Sequence, residues 1–420
     1  MMRQHSLSLW LGGVLLAVPV FAANAAEFSL QQTLAAAEHY SAELSANRNQ
    51  SNALSAMADS ARELPDPKLK FGIENVPIEG NNSHRFTREG MTMQRIGIMQ
   101  DYVSEEKRDR KAETILAQSA SSAAKAEVIR AELLRTTAQA WLDLALSEKV
   151  LATAQKLVAE TERQVAVQKA TVASGSTPAS SVVDIRMTLL DMQDKVTLAQ
   201  RDVVLAQTRL LRLTGENIDS VSGNLPRYQR LPADPAVLEQ GVSQHPEVIE
   251  AAREADVAKA RSAQSAVAAK PNVGVEVYYA HRADDYDDMA GVMFTVDMPL
   301  FKSQRQDKDL AADMSRSMEA NDQLAIANRE RVALVRTLVA QYQAAQTLWL
   351  RQQDQILPLQ RQRLSLIEAQ YRSGQSTLSD LLNARRTLLD TELNAHNAEK
   401  TVAETWAAIR YLTPQENNPS

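Results

Sequence analysis

Two hydrophobic periods take turns along the chain. Apolar positions recur at helical spacing over roughly 30–63 and again over 235–269, the second stretch opening after Asp234-Pro235, a cap residue followed by proline at the first helical position. The period then drops to two. Leu69, Phe71 and Ile73 alternate with Lys68, Lys70, Gly72 and Glu74, and Val273, Val275, Val277 and Tyr279 alternate with Gly274, Glu276 and Tyr278. After a polar loop in each case, alternation resumes over about 91–102 and 291–301, where Val292, Phe294, Val296, Met298 and Leu300 share one side. Next come two stretches of about 70 residues almost free of Gly and Pro, Ser104 to Ala173 and Ser303 to Arg372, with Pro358 the only break in the second. At 1.5 Å per residue each predicts a helix of ~105 Å. Beyond turns at Gly175 and Gly374 run helices of about 35 residues, with Leu381, Leu388 and Ala395 at sevenfold spacing beside Leu382, Leu389 and Leu393. These are helical hairpins with coiled-coil seams.

The order of elements occurs twice. Ser174-Gly175 matches Ser373-Gly374, Arg186 matches Arg385, and Thr188-Leu189-Leu190-Asp191 matches Thr387-Leu388-Leu389-Asp390, all at an offset of 199. The chain therefore divides into a leader (1–25), a first repeat (26–214, strands about 67–75 and 91–102, hairpin about 104–214) and a linker (215–234). A second repeat (235–412, strands about 271–280 and 291–301, hairpin about 303–412) and a short tail (413–420) follow. The linker has no clear period and carries Gly223, Pro226 and Pro232.

Composition agrees with long helices: only 13 Gly and 14 Pro in 420 residues leave few turns. A net charge of -6 argues against a phosphate-binding surface and so against nucleic acid. The absence of Cys excludes disulfides, thiolate metal sites and an N-terminal lipid anchor on Cys. Arg3, the apolar run Leu7 to Phe21 and the small residues Ala23-Asn24-Ala25 read as a secretory signal peptide, with the mature chain starting near Ala26.

Strands of nine to eleven residues with one apolar face are long enough to cross a bilayer when tilted. Four such strands cannot close, and an open edge in hydrocarbon leaves unpaired backbone groups at several kcal/mol each, so further copies must complete the sheet. Two chains would give eight strands and a filled interior, whereas three give twelve and a lumen. The expected fold is thus mainly α with a membrane β-barrel: a homotrimer forming a 12-stranded barrel plus an α-helical tunnel.

The duplicated plan, the tip sequence Tyr371-Arg372-Ser373-Gly374-Gln375-Ser376-Thr377-Leu378-Ser379-Asp380-Leu381-Leu382-Asn383-Ala384-Arg385, and Leu64-Pro65-Asp66-Pro67-Lys68-Leu69 followed by Asn75-Val76-Pro77 resemble the TolC-like outer-membrane efflux channels, in particular the branch serving heavy-metal exporters. The resemblance implies a homotrimer among outer-membrane lipids of a Gram-negative bacterium, with a periplasmic helical extension. Its partners would be a periplasmic adaptor and an inner-membrane pump of the resistance-nodulation-division type driven by the proton gradient. The channel would conduct passively, with no cofactor and no enzyme chemistry. Adaptor contact maps to Ser174, Gly175, Ser176 and Thr177 at one tip and to Ser373, Gly374, Gln375, Ser376 and Thr377 at the other. The closing ring maps to Tyr371 and Asp380, and like charges in a ring of three Asp380 would raise their pKa values and attract cations. This chain departs from the family pattern at Asn383, Ser376 and Ser181, where the family has a second ring carboxylate, an Arg and an Asp; Asp184 lies one helical turn beyond Ser181. After the second strand, Val103-Ser104-Glu105-Glu106-Lys107 keeps only the Lys of the family's junction.

Other candidate sites reduce to simpler readings. Ala283-Asp284-Asp285-Tyr286-Asp287-Asp288 lacks the Gly and terminal Glu of an EF-hand and reads as a solvated loop. His5, His39, His84, His245, His281 and His396 never fall at zinc spacing, so no metal ligands are assigned. Met91 and Met93 suit a strand face, and Met187, Met192, Met314 and Met318 suit helix seams. No nucleotide loop, metalloprotease motif or nucleophile elbow occurs. Other cargo stays open, namely drugs, small molecules or proteins, as do a periplasmic coiled-coil adaptor and a structural adhesin. An adaptor would show lipoyl-like halves around one hairpin, an adhesin heptads without duplication or strands.

Overall fold

A computed structural model describes residues 27–172, 179–283 and 285–413. The leader, the first tip turn (Ser174, Gly175, Ser176, Thr177), Asp284 and tail residues 414–420 lie outside the described residues.

After a two-residue strand, β1 (Glu27–Phe28), the first helical stretch is split into α1 (Leu30–Tyr40) and α2 (Ala42–Arg62). Ser41 makes the break: its backbone is extended and its hydroxyl accepts from the Leu44 N–H at 3.2 Å, capping the second helix. The corresponding stretch of the second repeat is also divided, into α5 (Pro235–Gln240) and α6 (Pro246–Ala266), joined by a single 3₁₀ turn. Asp234 caps α5 as its position predicts, accepting from Ala236 N–H at 2.9 Å. Pro246 forces His245 into extended backbone, which ends the preceding turn.

The strands are β2 (Lys68–Glu74), β3 (Met93–Tyr102), β5 (Val273–His281) and β6 (Met289–Val296). The last stops well short of 301, because Pro299 has no N–H for a ladder, and Met298 and Leu300 fall in a turn. Each strand pair leads into a hairpin: α3 (Glu105–Val172) and α4 (Ala179–Thr214) in the first repeat, α7 (Gln306–Arg351), α8 (Leu357–Arg372) and α9 (Leu378–Arg410) in the second. Between α7 and α8 lies a π turn, Gln352–Ile356. Pro358 causes it by removing one N–H from the helical ladder, and the wider turn lets the helix run on.

The main core sits where the repeats and the linker meet. Trp141, Leu142 and Leu144 of α3, Leu210 of α4, Val335 and Tyr342 of α7 and Val402 and Trp406 of α9 pack with Ile218 and Tyr228. The linker is therefore part of the core, which a segment without hydrophobic period does not announce. Its β4 (Ser220–Val221) pairs in parallel with β1, and Tyr228 donates to Glu399 at 2.7 Å while its carbonyl accepts from the Tyr342 hydroxyl at 2.7 Å. Nearer the tip, Leu157 and Val158 of α3, Met192 of α4, Leu357 of α8 and Leu388 and Leu389 of α9 form a second cluster. Met187, Met314 and Met318 do not share it: they are exposed.

Candidate functional site

The four long strands form one antiparallel sheet in the order β2-β3-β5-β6. Its centre is a pairing between repeats, β3 with β5, from Gln94 opposite His281 to Tyr102 opposite Val273. The outer strands β2 and β6 each have one ladder partner, so both edges are free.

Register assigns every side chain to a face, since strand side chains alternate. Leu69, Phe71 and Ile73 stand opposite Ile98, Ile96 and Gln94; Ile96 and Ile98 oppose Tyr279 and Val277; and Val277, Val275 and Val273 oppose Val292, Phe294 and Val296. This makes one nearly unbroken apolar face, and it is uncovered: Phe71 is 81% and Phe294 69% exposed. An apolar surface of this kind on a folded chain marks a surface that meets lipid or another chain.

The opposite face is polar and its charges are matched. Glu276, 4% exposed, accepts from Lys70 at 2.8 Å and from Arg95 at 2.7 Å; Arg95 also donates to Glu74 at 3.0 Å. Lys68 pairs with Asp101 at 2.6 Å. The Arg95 guanidinium lies 3.7 Å from the Tyr278 ring centroid, and that ring in turn covers Gly291, where an added Cβ would come within 2.5 Å of it. Met93 also lies on this polar face, opposite Glu74. Three acidic and three basic side chains on one sheet face give a wetted wall of low net charge.

At the far end of the second hairpin, α8 closes in a Schellman turn. Gly374, at φ +76°, donates to the Tyr371 carbonyl at 3.1 Å and Gln375 donates to Gln370 at 2.8 Å. Thr377 then starts α9 with a capping box. Asp380 N–H donates to the Thr377 hydroxyl at 3.1 Å, and the Asp380 carboxylate accepts from Thr377 N–H at 3.0 Å, from the Thr377 hydroxyl at 2.6 Å and from Ser376 at 3.3 Å. The hydrogen bonds from the Thr377 hydroxyl and N–H, with a smaller one from Ser376, outweigh partial burial and hold this carboxyl below the ordinary range. Thr377→Ala is expected to cost about 1 kcal/mol locally. Hydrogen exchange in the first turn of α9 should accelerate, with no change at Leu388.

The structure brings some of the predicted gate residues together. Asp184 and Asn383 line one groove of about 450 Å³ between α4 and α9, with Asp191 and Arg386. Tyr371, half-buried with its hydroxyl pKa pushed up by burial, and Asp380 stand outside that groove. Ser181 falls in α4, but its side chain is not among those described.

The sequence reading missed the ties between hairpins at this end. Arg386 reaches Asp191 at 3.5 Å, and Lys195 bridges Asp191 at 3.4 Å and Asp390, so α9 is ion-paired to α4. Arg385, 6% exposed, pairs with Glu368 of α8 at 2.8 Å. The signal was present, because Arg385 and Asp390 repeat Arg186 and Asp191, though their partners are not encoded by the offset. At the other end, Asp288 of the acidic loop accepts from the Tyr279 hydroxyl, from His281 Nδ1 at 2.8 Å and from Arg282 N–H at 3.3 Å. Among the described residues no cluster of His, Asp or Glu has the arrangement of a metal site.

No helix among the described residues is long and apolar enough to cross a membrane. Residues 237–413 match the family described as outer membrane efflux protein. No curated protein sequence matches the chain. Among solved structures the fold is similar to that of CusC, at 15% identity and TM-score 0.75, covering 92% of this chain and 92% of that one. It is also similar to VceC from Vibrio cholerae (18%, TM-score 0.72, 91% and 95%) and to the open MtrE outer membrane channel of Neisseria gonorrhoeae (15%, TM-score 0.74, 91% and 88%). The second repeat thus matches the pattern of the outer membrane efflux family, and over nearly its whole length the chain has the fold of these outer membrane channels.

Proposed function

We propose that three copies of this chain close a 12-stranded barrel in the outer membrane of a Gram-negative bacterium and pass heavy-metal cations outward. The observation that carries the reading is the sheet: four antiparallel strands, two free edges and one exposed apolar face. In a closed barrel β2 of each chain pairs with β6 of the next and no edge remains in hydrocarbon. The ten residues of β3 reach ~33 Å, which at a tilt near 45° matches an apolar band of ~25 Å.

The helices then extend into the periplasm as a tunnel, and the subunit does no chemistry of its own. Cargo arrives from a resistance-nodulation-division type pump through a periplasmic adaptor. The adaptor meets the tips at Ser174 to Thr177 and Ser373 to Thr377, and Tyr371, Asp380, Asn383, Ser181 and Asp184 surround the closed end. The resemblance of the Leu64-Pro65-Asp66-Pro67 segment to the metal-exporting branch supports metal as cargo. Cells lacking the protein should lose tolerance to transition-metal cations and keep their tolerance to dyes and antibiotics; the reverse pattern would defeat the metal assignment.

Asp380→Asn retains an oxygen for the capping box and removes the charge. In planar bilayers it should lower cation preference measurably, and an unchanged reversal potential would remove Asp380 from the gate.

A further inference from the structure

A cavity of about 1010 Å³ opens between the linker, α5 and the C-terminal end of α9. Its lining carries Arg227, Arg230 and Arg410, and no Asp or Glu. The acidic side chains close by in sequence are engaged elsewhere: Glu239 with Arg336 at 2.9 Å, Glu247 with Arg331 at 2.8 Å, and Asp234 as the cap of α5. Arg410 stacks on Tyr411 at 5.6 Å, and none of the three guanidinium groups has an ion-pair partner among the described residues. In a chain with 52 acidic against 46 basic residues, three unneutralised arginines around an acid-free cavity are a local reversal of charge.

The wall has one further titratable side chain. His245 also lines the cavity, is 4% exposed, and its Nδ1 is buried without a hydrogen-bond partner among the described residues. Burial, with a smaller contribution from Arg331, lowers the ring's pKa. The remaining wall is apolar, with Trp406 and Leu238 among its side chains.

We propose that this cavity binds a small organic anion, its carboxylate held by Arg227, Arg230 and Arg410 and its apolar body laid against Trp406 and Leu238. The volume is at the upper end for small-molecule sites. Planar guanidinium forks recognise carboxylates in pairs of hydrogen bonds, and an apolar body separates the site from one for bare inorganic ions. This site is independent of the conduction path proposed above.

The test uses the full chain in detergent and 4-(trifluoromethyl)benzoate as probe, followed by ¹⁹F line broadening, with the uncharged 4-(trifluoromethyl)benzamide as control for uptake into apolar surface. Saturable broadening is expected for the acid and not for the amide. The Arg230→Gln/Arg410→Gln variant should weaken it at least tenfold, and because neither side chain has an ion-pair partner among the described residues, its helical content should be unchanged. Equal broadening by acid and amide, no saturation up to about 10 mM, or an unchanged affinity in the double arginine variant would overturn the assignment.

Discussion

Val277→Arg is expected to prevent assembly in the outer membrane. Val277 is the middle residue of β5, opposite Ile98 on one side and Val292 on the other, in the centre of the exposed apolar face. An arginine at the bilayer midplane of a barrel costs about 2–4 kcal/mol, and a trimer carries three. Thr295→Arg is the paired control: it lies on the opposite face, opposite Gly274, and should insert normally while altering conductance. Fractionation of membranes and the amount of assembled oligomer on unheated gels report both. Normal assembly of Val277→Arg would mean that the apolar face does not meet lipid.

Glu399→Ala should be the most destabilising single change in the helical body. Glu399 is 6% exposed and accepts from Lys149 at 2.9 Å, from Tyr228 at 2.7 Å and from His396 at 3.3 Å, so it ties α3, α9 and the linker into one node. Burial opposes its charge, yet the hydrogen bonds from His396, Lys149 and Tyr228 outweigh that and pull the carboxyl down from 4.5 to about 2. Because the folded value is the lower one, this stabilisation is present at neutral pH and is lost as pH falls through the window from 4.5 towards 2. Its size is on the order of 3 kcal/mol. Removing the carboxylate also leaves Lys149 and Tyr228 without it, for a loss of about 3–5 kcal/mol. Melting followed by helical circular dichroism should show a large drop for Glu399→Ala at pH 7 and a much smaller gap between variant and wild type at pH 3. A gap that does not shrink on acidification would rule out ionised Glu399 as the source of the stability.

Those two effects differ in how visible they are beforehand. The apolar stripe is legible because a period of two is local: Leu69, Phe71 and Ile73, or Val292, Phe294 and Val296, declare their face without knowledge of any partner. The order β2-β3-β5-β6 is not, since the β3–β5 pairing joins residues 171 to 187 positions apart. The node at Glu399 is equally hidden, because its partners come from three segments, one of them a linker with no period. Helix ends fall between these cases. Thr377-Leu378-Ser379-Asp380 has the spacing of a capping box and could be read directly, as could the break that Pro246 imposes. Ser41 gives no such warning, because a lone serine inside a helical pattern is as often a tolerated surface residue as a cap. At the tip, the repeated Arg and Asp positions marked the right neighbourhood, but Arg386 with Asp191 and Lys195 with Asp390 cross between repeats, and only the packing of α4 against α9 shows them.

A single chain supplies four strands and two unpaired edges, so the number of copies that complete the wall decides between a channel and everything else. Native mass spectrometry of the protein extracted from outer membranes and released from detergent in the gas phase counts those copies directly. Three chains per particle are expected; a particle of one or two chains, with β2 and β6 left without partners or closed around a filled eight-stranded interior, would contradict a conducting pore.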